Sequence, residues 1–328
     1  MSQYDRDTTT DEVLQGVDLT GKRIVITGTS SGLGRETARA LASKGASISM
    51  LARNASKNEA AADAIRAQVP GADLETRVVD LTSLESVRML AKDFLSDHSR
   101  IDVLINNAGI MVCPFGTTSD GFELQLGTNH LGHFLLTVLL APALVDGGPS
   151  RVVELSSGAH GMAGMDFDDL MFERREYDPW VAYAQSKTAN VLFAMELDRR
   201  LADRGVKAFS VHPGMIMTEL ARHMTAEVME QMQVHIRARA EEEGASADEA
   251  AGAGMRFKSL EAGAATQVWA ATALELDAHG GAYLADCQVG EVGGDIANAG
   301  VAPHARDPEA AMRLWSVSEE LVSEQLGS

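Results

Sequence analysis

The stretch KRIVITGTSSGLG, residues 22–34, decides the fold. Ile24, Val25, Ile26 and Thr27 are β-branched and favour an extended strand. Gly28, Gly32 and Gly34 interrupt that run at once, and residues 35–44 carry Ala38, Leu41 and Ala42 on one helical face. A strand, a glycine turn and a helix in this order open a βαβ unit. Glycines at such a junction let the backbone turn tightly and approach a pyrophosphate. The following helix directs its free N–H groups and positive dipole end at the anion. The spacing is Gly-x-x-x-Gly-x-Gly, and its place after the first strand makes it a nucleotide signal rather than a plain turn.

Outward from this stretch, β-rich runs alternate with helical patterns. Strands are expected at 22–27, 47–51, 74–80, 101–105, 151–155, 206–211 and 281–284. Helices are expected at 35–44, 58–68, 84–95, 120–144, 180–201 and 262–273. The alternation predicts an α/β fold: a doubly wound, Rossmann-type, seven-stranded parallel sheet with helices on both faces. One domain is expected over residues 21–328, preceded by a polar, frayed extension at 1–20. Two segments break the pattern, 160–179 and 218–259. The second contains EEEGASADEAAGAGM and reads as a lid-like insertion or a solvated helix–loop.

The chain has 328 residues, and 28 basic against 47 acidic side chains give a net charge of −19. So acidic a surface repels phosphate backbones and anionic lipid, which argues against nucleic-acid and membrane-surface partners. Cys113 and Cys287 cannot build a disulfide framework, and no Cys/His cluster suggests a metal. His130 and His133 are expected to pack, and His160 and His223 to sit near a site rim. The first 20 residues lack a basic start and an apolar run, and no stretch of about 18 consecutive apolar residues occurs. A cytoplasmic chain without a membrane helix is expected.

Two further features carry chemistry. Tyr183 and Lys187 stand at i and i+4 inside the 180–201 helix, so phenol and ammonium are neighbours on one face. A free tyrosine titrates near about 10, and a fixed cation beside it favours the phenolate. The pair thus suits general acid/base work. Ser156 and Ser157 end the fifth strand, where doubly wound folds bind ligands. A hydroxyl there can both donate and accept.

Together these motifs resemble the short-chain dehydrogenase/reductase family. Asn106-Asn107-Ala108-Gly109 is similar to the family's NNAG, Asn129 in TNHLGHF to its catalytic asparagine, and His212-Pro213-Gly214 to its Pro-Gly turn. Asp80 matches the residue that usually meets the adenine. The strings SRVVELSSGAH, YAQSKTANVLFAMEL, SVHPGMIMTELARH, LADC and RLWSVSEEL further resemble the retinol-dehydrogenase-like branch. Glu154 departs from the asparagine often found in that strand, and residues 290–305 carry an insertion.

The resemblance implies roles. Tyr183 exchanges a proton with the substrate oxygen, Lys187 tunes Tyr183 and holds the nicotinamide ribose, Ser157 hydrogen-bonds the reacting oxygen, and Asn129 holds a water leading from Lys187. Nucleotide contacts are expected from Gly28, Ser30, Ser31, Gly32, Leu33, Gly34, Arg35, Arg53, Asp80, Leu81, Asn107, Ala108, Gly109, Tyr183, Lys187, Pro213, Gly214, Ile216 and Thr218. The second strand ends Met50-Leu51-Ala52-Arg53-Asn54, without the carboxylate that selects NAD(H). Arg53 and Arg35 suit a 2′-phosphate instead, which favours NADP(H) over NAD(H). Met111, Val112, Met162, Met165, Trp180, Met215 and Met217 lie near motif residues and suggest an apolar carbonyl or alcohol substrate. The alternatives are an NAD(H)-dependent alcohol or hydroxysteroid dehydrogenase and a non-catalytic dinucleotide sensor. No metal is expected, and the family's dimers and tetramers leave a homo-oligomer open.

Overall fold

The computed structural model describes residues 4–217, 220, 230, 234, 257–296 and 299–327. Its strands are β1 (Arg23–Thr27), β2 (Ser47–Ala52), β3 (Leu74–Val78), β4 (Val103–Asn106), β5 (Ser150–Leu155), β6 (Val206–His212), β7 (Tyr283–Ala285) and β8 (Gln288–Val289). They form one sheet in the order β3-β2-β1-β4-β5-β6-β7-β8. The first seven are parallel, and β8 pairs antiparallel with β7. The chain winds outward from β1 to β3, returns to β4 beside β1, then winds the other way. That reversal opens a crevice at the carboxyl ends of β1 and β4, where doubly wound folds bind ligands.

Among the described residues the strand count is eight rather than the expected seven. The extra strand follows a turn through Asp286 and Cys287, both left-handed at φ 51° and 53°. Neither is a glycine, so the turn carries little sequence signal.

The helices are α1 (Thr10–Val13), α2 (Gly32–Ala42), α3 (Ala55–Gln68), α4 (Leu84–Asp97), α5 (Leu124–Leu126), α6 (Gly132–Asp146), α7 (Pro179–Leu201), α8 (Leu260–Thr272) and α9 (Pro308–Val322). Alternation along the strands divides two cores. Ile24, Ile26, Val153, Leu155 and Val211 face α1, α2, α3 and α8, while Val25, Leu104, Val152 and Ala208 face α4, α6, α7 and α9. A π-helical turn, Gly127–Leu131, joins α5 to α6. The combined helix Leu124–Asp146 is long and apolar enough to span a membrane by composition, but 83% of its most apolar window is buried inside the fold. Phe134 on α6 packs on Phe193 of α7 and Trp315 of α9, with ring centroids 5.4 and 5.0 Å away.

Among the described residues, the segments near both ends hold structure that the alternating pattern does not predict. Thr9 and Glu12 form a capping box for α1, Thr10 Oγ1 donates to buried Glu36 at 2.6 Å, and Arg39 meets Asp11 at 2.8 Å. The segment is therefore pinned to α2 rather than frayed. Residues 308–322, where the alternating pattern predicts no helix, form α9. The 160–179 segment is also built: Asp169 accepts backbone N–H groups of Glu173, Arg174 and Arg175, and Arg175 lies over the Phe172 ring. Most of the 218–259 insertion, including Thr218 and His223, lies outside the described residues.

Candidate active site

The glycine turn packs against the end of β4. Gly28 has φ 75°, and a methyl group on it would lie 2.9 Å from the Ala108 Cα. A methyl on Gly34 would lie 2.4 Å from the Gly28 carbonyl oxygen. Only glycine lets the start of α2 come this close to the turn. Asn107 Nδ2 donates to the Thr27 carbonyl at 2.7 Å and locks the two motifs together. Ser30, Ser31, Gly32 and Leu33 complete the turn, partly exposed at the crevice. This cradle, open at the N-terminus of α2, fits the pyrophosphate of a dinucleotide.

Beyond it, Arg35 and Arg53 are both exposed, at the first turn of α2 and the end of β2. Asp80 sits after β3, where its Oδ1 accepts from the Thr82 N–H and hydroxyl. Leu81 is buried against Gly132. Leu33 and Ile216 approach each other across Gly263 of α8, where a methyl would lie 3.0 and 2.5 Å from them. Pro213 and Gly214 follow β6, and Gly214 is left-handed at φ 87° over the aliphatic part of Lys258. Buried Lys258 pairs with Asp286 at 2.5 Å.

The four expected catalytic residues converge from three elements. Asp178 caps α7 by accepting from Trp180 and Val181, and Pro179 occupies its first turn. The helix then carries Tyr183 and Lys187, both nearly fully buried. Ser157 follows β5, accepts from Ala159 N–H at 3.1 Å, and acts on the neighbouring Tyr183 phenol. Asn129 lies in the π-helical turn, a local geometry common at functional sites. Its side chain accepts from Ile110 N–H and donates to the Ile110 carbonyl, both at 2.9 Å. It also donates to Ser186, next to Lys187. A methyl on Gly109 would lie 3.2 Å from Asn129 Oδ1 and 3.7 Å from Lys187 Nζ.

One expectation is reversed. The spacing predicts that Lys187 lowers the Tyr183 pKa, yet burial pushes the phenol up to about 12, opposed by neighbouring Ser157. The reason is where the ammonium points. Lys187 Nζ donates to the Leu155 carbonyl at 2.8 Å and lies 5.7 Å from the Tyr183 ring centroid. Burial in turn brings Lys187 down to about 8, with neighbouring Glu154 acting against that fall.

The two helix histidines differ. His130 packs, as expected, between Phe134 and Phe193. His133 does more, and sequence spacing gave no sign of it. Burial pushes its imidazole down to about 4, so it is neutral. The Asn129 carbonyl can only accept, so Nδ1 carries the proton at 3.0 Å. Nε2 then accepts from the Thr27 hydroxyl at 2.9 Å, and that hydroxyl accepts from Ala108 N–H. One side chain thus ties the Asn129 turn to the glycine motif. His160 is fully buried rather than at a rim, holding the Ser157 carbonyl on one nitrogen and Ala302 N–H on the other.

The expected apolar group separates. Val112, Trp180, Met111 and Met162 cluster around Tyr183, with Ala159. Met165 packs elsewhere, against Leu126 and Leu170. Met215 and Met217 are 41% and 69% exposed. Cys113 and Cys287 are buried and form no disulfide among the described residues, and no His/Cys/Asp/Glu group suited to a metal occurs among those residues.

Residues 22–229 match the model of the short chain dehydrogenase family. The chain belongs to that family. It is 40% identical to human retinol dehydrogenase 12 over 306 residues, covering 93% of this chain and 88% of the relative. The crystal structure of an uncharacterized protein from Mycobacterium paratuberculosis is similar at 36% identity and TM-score 0.71, over 95% of this chain and 97% of that one. RhlG of Pseudomonas aeruginosa, in its NADP active-site complex, shares the fold at 22% identity and TM-score 0.61, over 82% of this chain and 95% of that one. The chain is thus an NAD(P)-dependent short-chain dehydrogenase acting on CH–OH or C=O groups, in the retinol-dehydrogenase-like branch.

Proposed function

We propose that this dehydrogenase uses NADP(H) to interconvert an apolar carbonyl compound and its alcohol. The observation that carries the reading is the setting of Tyr183. Its phenol is held down by neighbouring Ser157, and its side chain is walled by Val112, Trp180, Met111 and Met162. A proton-exchanging group on an apolar wall selects a substrate with one polar oxygen on a greasy body. The name of retinol dehydrogenase 12 points to an apolar alcohol for that relative, which is consistent with this wall.

When bound, the nicotinamide supplies or accepts the hydride. The chain's residues do the rest. Tyr183 donates a proton to the carbonyl oxygen during reduction and takes one from the hydroxyl during oxidation. Ser157 hydrogen-bonds the same oxygen and stabilises charge developing there. Lys187 holds the nucleotide ribose and supplies positive charge, and Asn129 holds the water leading from Lys187. The cradle of Gly28, Gly32 and Gly34 takes the pyrophosphate, Asp80 and Leu81 flank the adenine, and Pro213, Gly214 and Ile216 border the nicotinamide. Arg53 and Arg35 take the 2′-phosphate, supported by the lack of a carboxylate at the end of β2.

The test is a panel of steroids, aromatic ketones, long-chain aldehydes and retinoids with NADPH and NADH, read by absorbance of the reduced nicotinamide. Turnover of apolar members with NADPH is expected. Turnover restricted to small polar carbonyls, or equal rates with NADH, would overturn the substrate or cofactor assignment respectively.

A further inference from the structure

Beneath the Tyr183–Lys187 pair lies a row of polar side chains buried inside the sheet. Register places Asn106 of β4 beside Glu154 of β5, Glu154 beside Ser210 of β6, and Ser210 beside Tyr283 of β7. Strand alternation turns all four toward the α6 and α7 face, where Val152 and Ala208 also point. Asn106 and Glu154 have no solvent exposure. Asn106 Nδ2 donates to Glu154 Oε1 and, at 2.9 Å, to the Thr137 hydroxyl of α6. The second oxygen of Glu154 and the carbonyl oxygen of Asn106 receive no hydrogen bond among the described residues. The hydroxyls of Ser210 and Tyr283 are likewise without partners.

A buried carboxylate with an orphan oxygen is costly, whereas a proton on that oxygen removes the charge and turns an unmet acceptor into a donor. The neighbours agree with this state. Asn106, Thr137, Ser210 and Tyr283 bring no cation to the row. Among the described residues, the one cation acting on Glu154 is Lys187 on α7. His133 on α6, which senses Lys187, is neutral.

We propose that Glu154 is a positioning residue for the Tyr183–Lys187 pair, held as a neutral acid whose loss of its proton keeps Lys187 charged under alkaline conditions. The inference rests on the reading of that pair given above. Burial raises Glu154 to about 8 against the opposing effects of Asn106 and Lys187, close to where burial places Lys187 itself. Two coupled sites then release their protons in sequence. As pH rises, an ionised Glu154 carboxylate holds the ammonium in its charged form. Deprotonation of Lys187 is thereby deferred, and with it the loss of activity. Nothing in the glycine or Tyr-Lys motifs signals this, because Glu154 stands where the branch often has an asparagine.

The test compares pH–rate profiles of the wild type, Glu154→Gln and Glu154→Asp. Wild type and Glu154→Gln should coincide below about pH 8, where the acid is neutral. Above it, the alkaline limb of Glu154→Gln should move to lower pH by about 1–3 units. Glu154→Asp should bring the limb back toward wild type. Profiles that differ by one constant factor at every pH, or a limb that moves upward, would overturn the proposal. Infrared spectroscopy tests it without turnover. A protonated-acid carbonyl band should fade in the wild type as pH rises through about 8, and be missing from Glu154→Gln or, should that variant not fold, Glu154→Asn. Absence of such a band in the wild type at neutral pH overturns the proposal. A normal band together with no turnover on any carbonyl panel would instead count against the functional reading.

Discussion

Lys187 donates its Nζ hydrogen to the Leu155 carbonyl at 2.8 Å, and the phenol one helical turn earlier is left to burial and to Ser157. Asn190, a further turn along α7, donates to the same carbonyl at 2.9 Å. The last residue of β5 therefore fixes where positive charge sits relative to Tyr183.

The first expectation concerns the proposed proton exchange at Tyr183. Tyr183→Phe should lower kcat by at least about 10²–10⁴-fold, the usual worth of a general acid. Nucleotide affinity, followed by fluorescence of the reduced cofactor, should change little. Wild-type turnover in this variant would remove the assignment.

Cofactor choice should lie with Arg53. Arg53→Asp places a carboxylate at the end of β2, where it accepts from a ribose hydroxyl and repels a phosphate. The kcat/KM ratio of NADPH to NADH should fall by about tenfold or more, since charge-assisted pairing to a phosphate is strong. An unchanged ratio would assign the discrimination elsewhere.

Gly34→Ala should be doubly damaging. Its methyl would lie 2.4 Å from the Gly28 carbonyl and 2.5 Å from Asn107 Nδ2. Forcing the two motifs apart should cost about 1–3 kcal/mol, read as a lower Tm, and should abolish nucleotide binding. A variant that binds NADPH normally would show that the close approach is dispensable.

Acid stability should be governed by buried imidazoles. Burial pushes His130, His133 and His212 down to about 3, 4 and 4 from an ordinary 6.5. Between those values the unfolded chain binds protons that the folded chain does not, so stability falls as pH drops from about 6.5 toward 4. Tm measured across this window should decline on acidification, and His133→Gln should flatten the decline. A Tm that is level or rises on acidification would contradict the neutral histidines.

The sheet was legible because β-branched runs such as residues 24–27 end at glycines and are followed by helical spacing. The Tyr183–Lys187 pairing was legible because i, i+4 spacing fixes a helix face. Other elements were hidden for physical reasons. The π-helical turn around Asn129 changes hydrogen bonding without changing the apolar pattern. The β7–β8 turn uses Asp286 and Cys287 where glycine or asparagine is the usual sign. Two elements carried usable signals that the alternating pattern obscured. Thr9 and Glu12 have the spacing of a capping box, and Leu314, Trp315, Ser318 and Val322 fall on one face of α9. The direction of the Lys187 ammonium was not readable at all, because it depends on a carbonyl 32 residues away in sequence.

The apolar helix spanning Leu124–Asp146 also shapes how this polypeptide must be made. The rings that cover Phe134 come from Phe193 and Trp315. At about 5–20 residues per second, a ribosome finishes α6 many seconds before it delivers Trp315. During that interval a stretch greasy enough for a bilayer waits without its final cover. The nascent chain should therefore be a client for chaperones that shield such segments, and truncations ending before α9 should aggregate instead of remaining dispersed.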